Sequence, residues 1–187
     1  MKVTIGVSNR HVHLTDKHLH ILFGEDFELK KQKDLTQPGQ FASTSFVTLK
    51  TGKGIIENVR VLGPTRNYTQ VEISKTDSYK LGLNPPVRNS GDLALSESVT
   101  LIGPNGEVII KEGCIIATRH IHILPEQVKQ YKLEGKETVS VRLGGEKGGI
   151  INNVYLKPSD EAYFELHLDT DDANAHFVKN GDIAEIL

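Results

Sequence analysis

Apolar and polar residues alternate with a period of two over short stretches of this chain, and glycine-containing turns separate the stretches. The pattern predicts strands at Val3 to Val7, Phe46 to Leu49, Ile55 to Leu62, Tyr68 to Ser74, Ser98 to Ile102, Val108 to Ile110, Ile115 to His122, Thr138 to Leu143, Ile150 to Leu156, Ala162 to Leu168 and Ile183 to Leu187. Gly52-Lys53-Gly54, Gly103-Pro104-Asn105-Gly106 and Gly144-Gly145 fit hairpin turns. Helical periodicity is confined to three places. Thr15 to Gly24 reads as a capped helix, with Leu19, Leu22 and Phe23 as its buried side and Gly24 as its stop. Leu124 to Lys129 reads as a helical turn, and Asp171 to Lys179 as a third helical segment. The expected class is all-β, built as two related small β-barrels of about six strands each with a few short helices.

The same pattern repeats internally. Arg10-His11-Val12-His13 recurs as Arg119-His120-Ile121-His122, and each copy precedes a short helical element. Downstream, Gly54-Ile55-Ile56-Glu57-Asn58-Val59 falls on Gly149-Ile150-Ile151-Asn152-Asn153-Val154 at an offset of 95. Without a gap, Tyr68 to Ile73 then falls on Tyr163 to Leu168, Glu72 on His167 and Asp77 on Asp172. Both halves also reach a Gly-Asp turn before an apolar run, at Gly91-Asp92 and Gly181-Asp182.

The duplication brings chemistry with it. On an extended strand, residues two apart share a face, so each His-x-His presents two imidazoles side by side. Neutral imidazole is a common ligand of zinc and other late divalent metals. Each half therefore offers three ligand-type residues, namely His11, His13 and Glu72, and His120, His122 and His167. Three protein ligands with an open position is the pattern of a catalytic zinc, whereas structural zinc sites are usually closed by four. A lone His-x-His is more often a pair of polar side chains on a solvated strand, but six ligand-type residues recurring in register favour metal. The sites are expected near the junction of the two barrels. His18 and His20 diverge on their helix and read as non-ligating, and His176 reads as a surface residue.

Composition narrows the choice of function. The 187 residues are 37% hydrophobic and 25% charged, enough for one domain or two small ones with a real core. A net charge of −2 and 6% aromatic residues argue against nucleic-acid binding. No apolar run approaches a membrane span, and Met1 to Val7 already reads as a strand rather than a signal peptide. The single cysteine, Cys114, excludes an intramolecular disulfide, agrees with a cytoplasmic location and sits in an apolar strand as a buried small hydrophobe. Arg66 precedes Glu72 by six residues, which places it on the same face if the strand is unbroken, where a guanidinium suits a tetrahedral oxyanion such as phosphate. Its repeat partner is Glu161, and a surface ion pair explains it as well. Lys53, Arg60 and Arg88 are equally open to phosphate binding or to plain solvation.

Several segments together resemble the PduL-type phosphate propanoyltransferases. They are Val7 to Leu14, Val61 to Arg66 with Thr69 to Ser74, Ala117 to His122, and His167 to Asn174, and the likeness covers nearly the whole chain. The resemblance implies a phosphotransacylase that interconverts a short-chain acyl-CoA and inorganic phosphate with an acyl phosphate and coenzyme A. It implies two zinc ions held by His11, His13, Glu72, His120, His122 and His167. It assigns Arg66 to phosphate, and Ser8, Asn9, Arg10, Lys53, Arg60 and Asn174 to coenzyme A or the site lining. The implied fold has residues 1–9 with 118–187 as one barrel and 10–117 as the other, with each Arg-His-x-His at a crossover. Because the sequence opens on its first strand, no amphipathic microcompartment-targeting extension is expected; a homo-oligomer is compatible, and no membrane partner is implied. A zinc-dependent thioester or ester hydrolase and a non-catalytic zinc-stabilised binding module remain open alternatives.

Overall fold

The computed structural model describes residues 1–187. The elements run β1 (Lys2–Ser8), β2 (His11–His13), α1 (Asp16–Phe23), β3 (Lys31–Asp34), β4 (Phe41–Lys50), β5 (Ile55–Gly63), β6 (Gln70–Glu72), α2 (Lys75–Leu81), β7 (Val87–Arg88), β8 (Glu97–Ile102), β9 (Glu107–Ala117), β10 (His120–Ile123), α3 (Pro125–Gln130), β11 (Thr138–Leu143), β12 (Gly149–Pro158), β13 (Glu165–Asp169), α4 (Thr170–His176) and β14 (Ile183–Ile186). The chain divides into two compact units, Met1–Asn9 with Thr118–Leu187 and Arg10–Ala117. Mostly strand, it has no helix long and apolar enough to cross a membrane.

Each unit is a closed ring of six strands. The ring of the discontinuous unit is β1-β13-β10-β12-β11-β14, closed where β14 pairs with β1. The ring of the continuous unit is β4-β5-β2-β6-β9-β8, closed where β8 pairs back on β4, with β3 and β7 attached outside it. Equivalent strands make equivalent pairings. β2 lies parallel to β5 with His11 opposite Arg60, and β10 lies parallel to β12 with His120 opposite Tyr155. β9 runs parallel to β6 as β1 runs parallel to β13, so the N-terminal strand fills in one ring the place β9 fills in the other. Closure removes the unpaired strand edges that an open sheet would expose.

Alternation explains the cores. Val12 and Ile121, the residues between the paired histidines, are fully buried, and Val71 and Leu166 join them from the neighbouring strands. Leu49, Val59, Val61, Leu101 and Cys114 fill one unit, while Ile5, Val141, Val154 and Leu168 fill the other. The histidines stand on the opposite strand face. Asn58 and Asn153 have φ of 57° at matching bulges, where two residues oppose one on β4 and on β11. Asparagine tolerates that left-handed backbone better than most residues, and a bulge tightens the twist needed to close a small ring.

The first helix is as the pattern predicts: Thr15 Oγ1 accepts from His18 N, and Gly24 ends the segment. Elsewhere the structure corrects the pattern. Helix α2 was not among the expected helices, yet Ser74 and Asp77 close a reciprocal capping box at its start and Gly82, with φ of 62°, ends it. Ile115 to His122 is not one strand, because it breaks at Thr118 and Arg119. Val108 to Ile110 instead extends into the eleven-residue β9. The strand expected from Tyr68 shortens to Gln70–Glu72, which leaves Arg66 in a loop beyond the cis Gly63-Pro64 peptide. β3 and β7, both peripheral, were not anticipated.

Candidate metal centres

In the continuous unit, β2 carries His11 and His13, and antiparallel β6 sets Glu72 opposite His11. The two imidazoles stand edge to face with centroids 5.0 Å apart, and Glu72 Oε2 lies 3.5 Å from His11 Nε2. Gln70, fully buried two residues before Glu72, donates to Glu72 Oε1 at 2.6 Å and to Ser90 Oγ at 2.8 Å, and accepts from Gly91 N at 2.7 Å. His13 is only 2% exposed and its Nδ1 has no hydrogen-bond partner. Burial first, then His11 and the Arg66 charge, hold His13 neutral well below the usual imidazole range, against the opposing pull of Glu72. Arg66 thus acts on His13 from its loop, where its amide donates to Leu14 O at 2.8 Å. Its guanidinium makes only long contacts, to Tyr68 Oη at 3.4 Å and to Ser90 Oγ and Gln40 Oε1 at 3.3 Å.

In the discontinuous unit, β10 carries His120 and His122 and antiparallel β13 sets His167 opposite His120. The three rings form a near-equilateral cluster with centroid separations of 4.8, 5.0 and 4.8 Å. His120 Nδ1 donates to Thr118 O at 2.8 Å in the tautomer that leaves Nε2 available, and this Nε2 lies 3.2 Å from that of His122. Burial, together with the Lys157 and His167 charges, pushes His120 down to about 3. Burial and the same two neighbours bring His122 down to about 4. Both imidazoles are therefore neutral at pH 7, the form that binds metal. Glu165 Oε2 and Tyr163 Oη approach His167 Nε2 at 2.8 and 2.7 Å.

The donor sets fit a divalent metal. The candidate ligand atoms of each trio all lie within 4.8 Å of one another. For zinc–nitrogen bonds of about 2.0–2.1 Å the edge of a tetrahedron is about 3.3 Å, close to the 3.2 Å of His120 to His122 and the 3.5 Å of His11 to Glu72. A buried imidazole nitrogen without a partner, as at His13, costs free energy that a cation held by the trio could recover. Neutral imidazoles and a carboxylate are the donors that zinc takes.

A second repeated device supports each trio. Arg10 makes a two-point ion pair with Asp77 of α2, at 2.9 Å from Nε and 2.8 Å from a terminal nitrogen. Arg119 does the same with Asp172 of α4, at 2.7 and 2.8 Å. Such planar, bidentate pairs fix orientation, so the residue before each His-x-His is tied to the helix that follows β6 or β13. Asp77 is buried and also closes the α2 capping box, while Asp172 N donates to Asp169 in the α4 cap.

The remaining predicted residues are more dispersed. Ser8 ends β1 half-buried opposite Asp169, and Asn9 is exposed. Lys53 is exposed in the β4–β5 turn and Asn174 is exposed on α4. Arg60 lies over the Phe46 ring at 4.4 Å and donates to Gln32 Oε1 and Ser43 O. Arg88 pairs with Asp92 at 3.5 Å. His18 is half-buried with Nδ1 2.7 Å from Thr69 Oγ1, which accounts for it without a ligand, and His176 is half-buried, with Nδ1 3.2 Å from Lys147 O. Sequence reasoning missed Gln70, Tyr163 and Glu165. The offset alignment held the signal, because Gln70 falls on Glu165, two residues before each third ligand candidate.

Two six-stranded barrels, each bearing a histidine-rich trio of candidate metal donors on two adjacent strands, define the class as one of double-β-barrel proteins. Comparison with known proteins refines this. The phosphate propanoyltransferase family profile matches residues 4–179. A phosphate propanoyltransferase of Thermotoga maritima is 47% identical over 186 residues, spanning 99% of this chain and 89% of the relative. Those of Rhodopseudomonas palustris and Priestia megaterium are 44% and 47% identical, over 99% and 96% of this chain and 82% and 83% of their own lengths. The chain belongs to the phosphate propanoyltransferase family.

Proposed function

We propose that this protein transfers a short acyl group between coenzyme A and inorganic phosphate, using zinc held by His11, His13 and Glu72 and by His120, His122 and His167. The reading is carried by a family match that runs through both donor trios. Zinc bound there would supply Lewis-acid polarisation and neutralise negative charge on the reactants.

The chain's own groups account for the rest. Arg66 binds the phosphate: its present partners are three long contacts at 3.3–3.4 Å, which a phosphate in shorter, charge-assisted contact would replace at little cost. One phosphate oxygen then attacks the thioester carbonyl carbon, the C–O bond forms, the C–S bond breaks, and the phosphate proton ends on the departing thiol. The chain's single thiol is unsuited to a covalent acyl intermediate, because Cys114 is fully buried in β9 and burial pushes it up to about 12. Lys53 presents an exposed ammonium to the phosphates of coenzyme A. Arg10 and Arg60 are already engaged by Asp77 and by Gln32 and Ser43, so contributions from them and from Ser8, Asn9 and Asn174 depend on exchanging partners. Acetyl and propanoyl differ by one methylene, worth about 1–3 kcal/mol in a pocket. The cytoplasm, which holds acyl-CoA in a reducing medium, is the compartment in which we place the reaction.

The test is coenzyme A release from acetyl-CoA and propanoyl-CoA, with and without phosphate, on protein of measured metal content. Phosphate-dependent release with zinc bound is the expected result. Release that ignores phosphate would make the protein a thioester hydrolase, and zinc without release would leave a binding module.

A further inference from the structure

Positions 70 and 72 in one unit and 165 and 167 in the other are equivalent, each pair sharing one strand face. The first pair is Gln70 and Glu72 and the second is Glu165 and His167, so each holds one carboxylate but at the opposite place. Around His11 the carboxylate is Glu72, steadied by the Gln70 amide at 2.6 Å. Around His167 it is Glu165, 12% exposed in its side chain, with Oε2 2.8 Å from His167 Nε2. A carboxylate so far from water requires cationic or hydrogen-bonding partners; the Tyr163 hydroxyl already supplies a hydrogen bond, and a divalent cation among His120, His122 and His167 would add a charge of the right sign.

The neighbouring strand is shaped around this group. Gly6 of β1 lies opposite His167, and a Cβ there would fall 2.6 Å from Glu165 Oε2, 2.8 Å from its Cδ and 3.1 Å from His167 Cδ2. The equivalent position opposite Glu72 is Ile115. A side chain is thus missing from β1 at the one place where the Glu165 carboxylate lies.

We propose that Glu165 supplies the negative charge of the His120, His122 and His167 site and holds His167 Nε2, so that it determines how tightly this site keeps a divalent cation. Glu165 is then a positioning residue, and the proposal rests on the reading that the trios bind zinc. Carboxylates that orient metal-bound histidines typically change metal affinity roughly 10–100-fold when removed.

The experiment is titration of the full-length protein with zinc against a chromophoric chelator, with circular dichroism as the check of folding. Wild-type protein should hold two zinc ions. Glu165→Gln should weaken one of them roughly 10–100-fold and leave the other unchanged. Gly6→Ala keeps the charge but takes its space, so it should weaken the same ion, and it carries the test if Glu165→Gln does not fold. Glu165→Gln combined with His167→Glu recreates the Gln-x-Glu order of the other unit and should recover most of the lost affinity. Two ions bound within twofold of wild type in both Glu165→Gln and Gly6→Ala would overturn the inference while leaving the zinc reading intact. A wild-type protein that binds no zinc would overturn both.

Discussion

Gly54, just before β5, and Gly149, at the start of β12, are equivalent in the repeat, yet an added methyl group would meet quite different neighbours. At Gly54 a Cβ would lie 1.9 Å from the backbone oxygen of Lys80 and 3.0 Å from its carbonyl carbon. At Gly149 it would lie 3.3 Å from Cε1 and 3.6 Å from Nδ1 of the His176 side chain. The first contact is roughly 1.5 Å inside ordinary carbon–oxygen separation and cannot be relieved by a rotamer change, so α2 or the start of β5 must move. Overpacking of this kind costs about 1–3 kcal/mol and more when backbone is displaced, so about 3 kcal/mol is expected for Gly54→Ala. At 2–4 °C per kcal/mol for a chain of this size, Tm should fall by roughly 6–12 °C. Gly149→Ala needs only a few tenths of an ångström from a half-buried side chain, and the stiffer unfolded chain offsets part of that, about 0.4–1 kcal/mol. Its Tm should stay within about 2 °C of wild type. Scanning calorimetry and urea unfolding of both variants decide the matter. Equal losses at the two positions, or a Gly54→Ala variant as stable as wild type, would refute the reasoning. Because α2 also carries Asp77, the partner of Arg10, Gly54→Ala should in addition weaken zinc at the His11 site more than at the His120 site.

Three further outcomes follow from the site. His120, held near 3 in the metal-free fold against 6.5 when unfolded, is neutral in the native state while the unfolded chain takes up a proton below 6.5, so its contribution to stability is complete above that pH and is lost as pH falls towards 3. At pH 5 the loss is about 2 kcal/mol, with a smaller, solvent-screened share from His122. Chelator-treated protein should therefore show a falling urea midpoint from pH 7 to 5, with a shallower slope in His120→Gln; identical slopes would count against it. Arg66→Ala should raise the phosphate KM by tenfold or more, since charge-assisted contacts are worth about 1.5–3 kcal/mol, while zinc content stays at the wild-type level; unchanged kinetics would remove Arg66 from the site. Cys114, buried and pushed up to about 12, should resist an aromatic disulfide reagent at pH 8 and react at once in urea; fast labelling of the native protein would contradict its burial.

Local chemistry decided what the sequence alone could decide. Two-residue alternation is a property of the strand itself, so β5, β8 and β11 and the shared face of each His-x-His follow from it. Thr15 and Gly24 act on backbone groups within a turn of themselves, which made α1 legible. Helix α2 was legible in principle, because Ser74-x-x-Asp77 is a capping signature and 75–81 sits at the repeat offset from 170–176, but its Lys75-Thr76-Asp77-Ser78 run lacks the apolar stripe that periodicity detects. Pairing was another matter. That His11 faces Glu72 and His120 faces His167 is a register between strands far apart in the chain, and register depends on the whole ring closing. Arg66 reaches the His13 environment through a loop rather than along a strand, so counting residues to Glu72 placed it on a route the fold does not use. Gln70 and Glu165 look like ordinary polar strand residues until Gly6, from the opposite end of the chain, clears space beside one of them. Interactions between neighbours in sequence are written in composition and spacing, whereas contacts between distant segments exist only once the entropy of bringing them together has been overcome by the packed barrel as a whole.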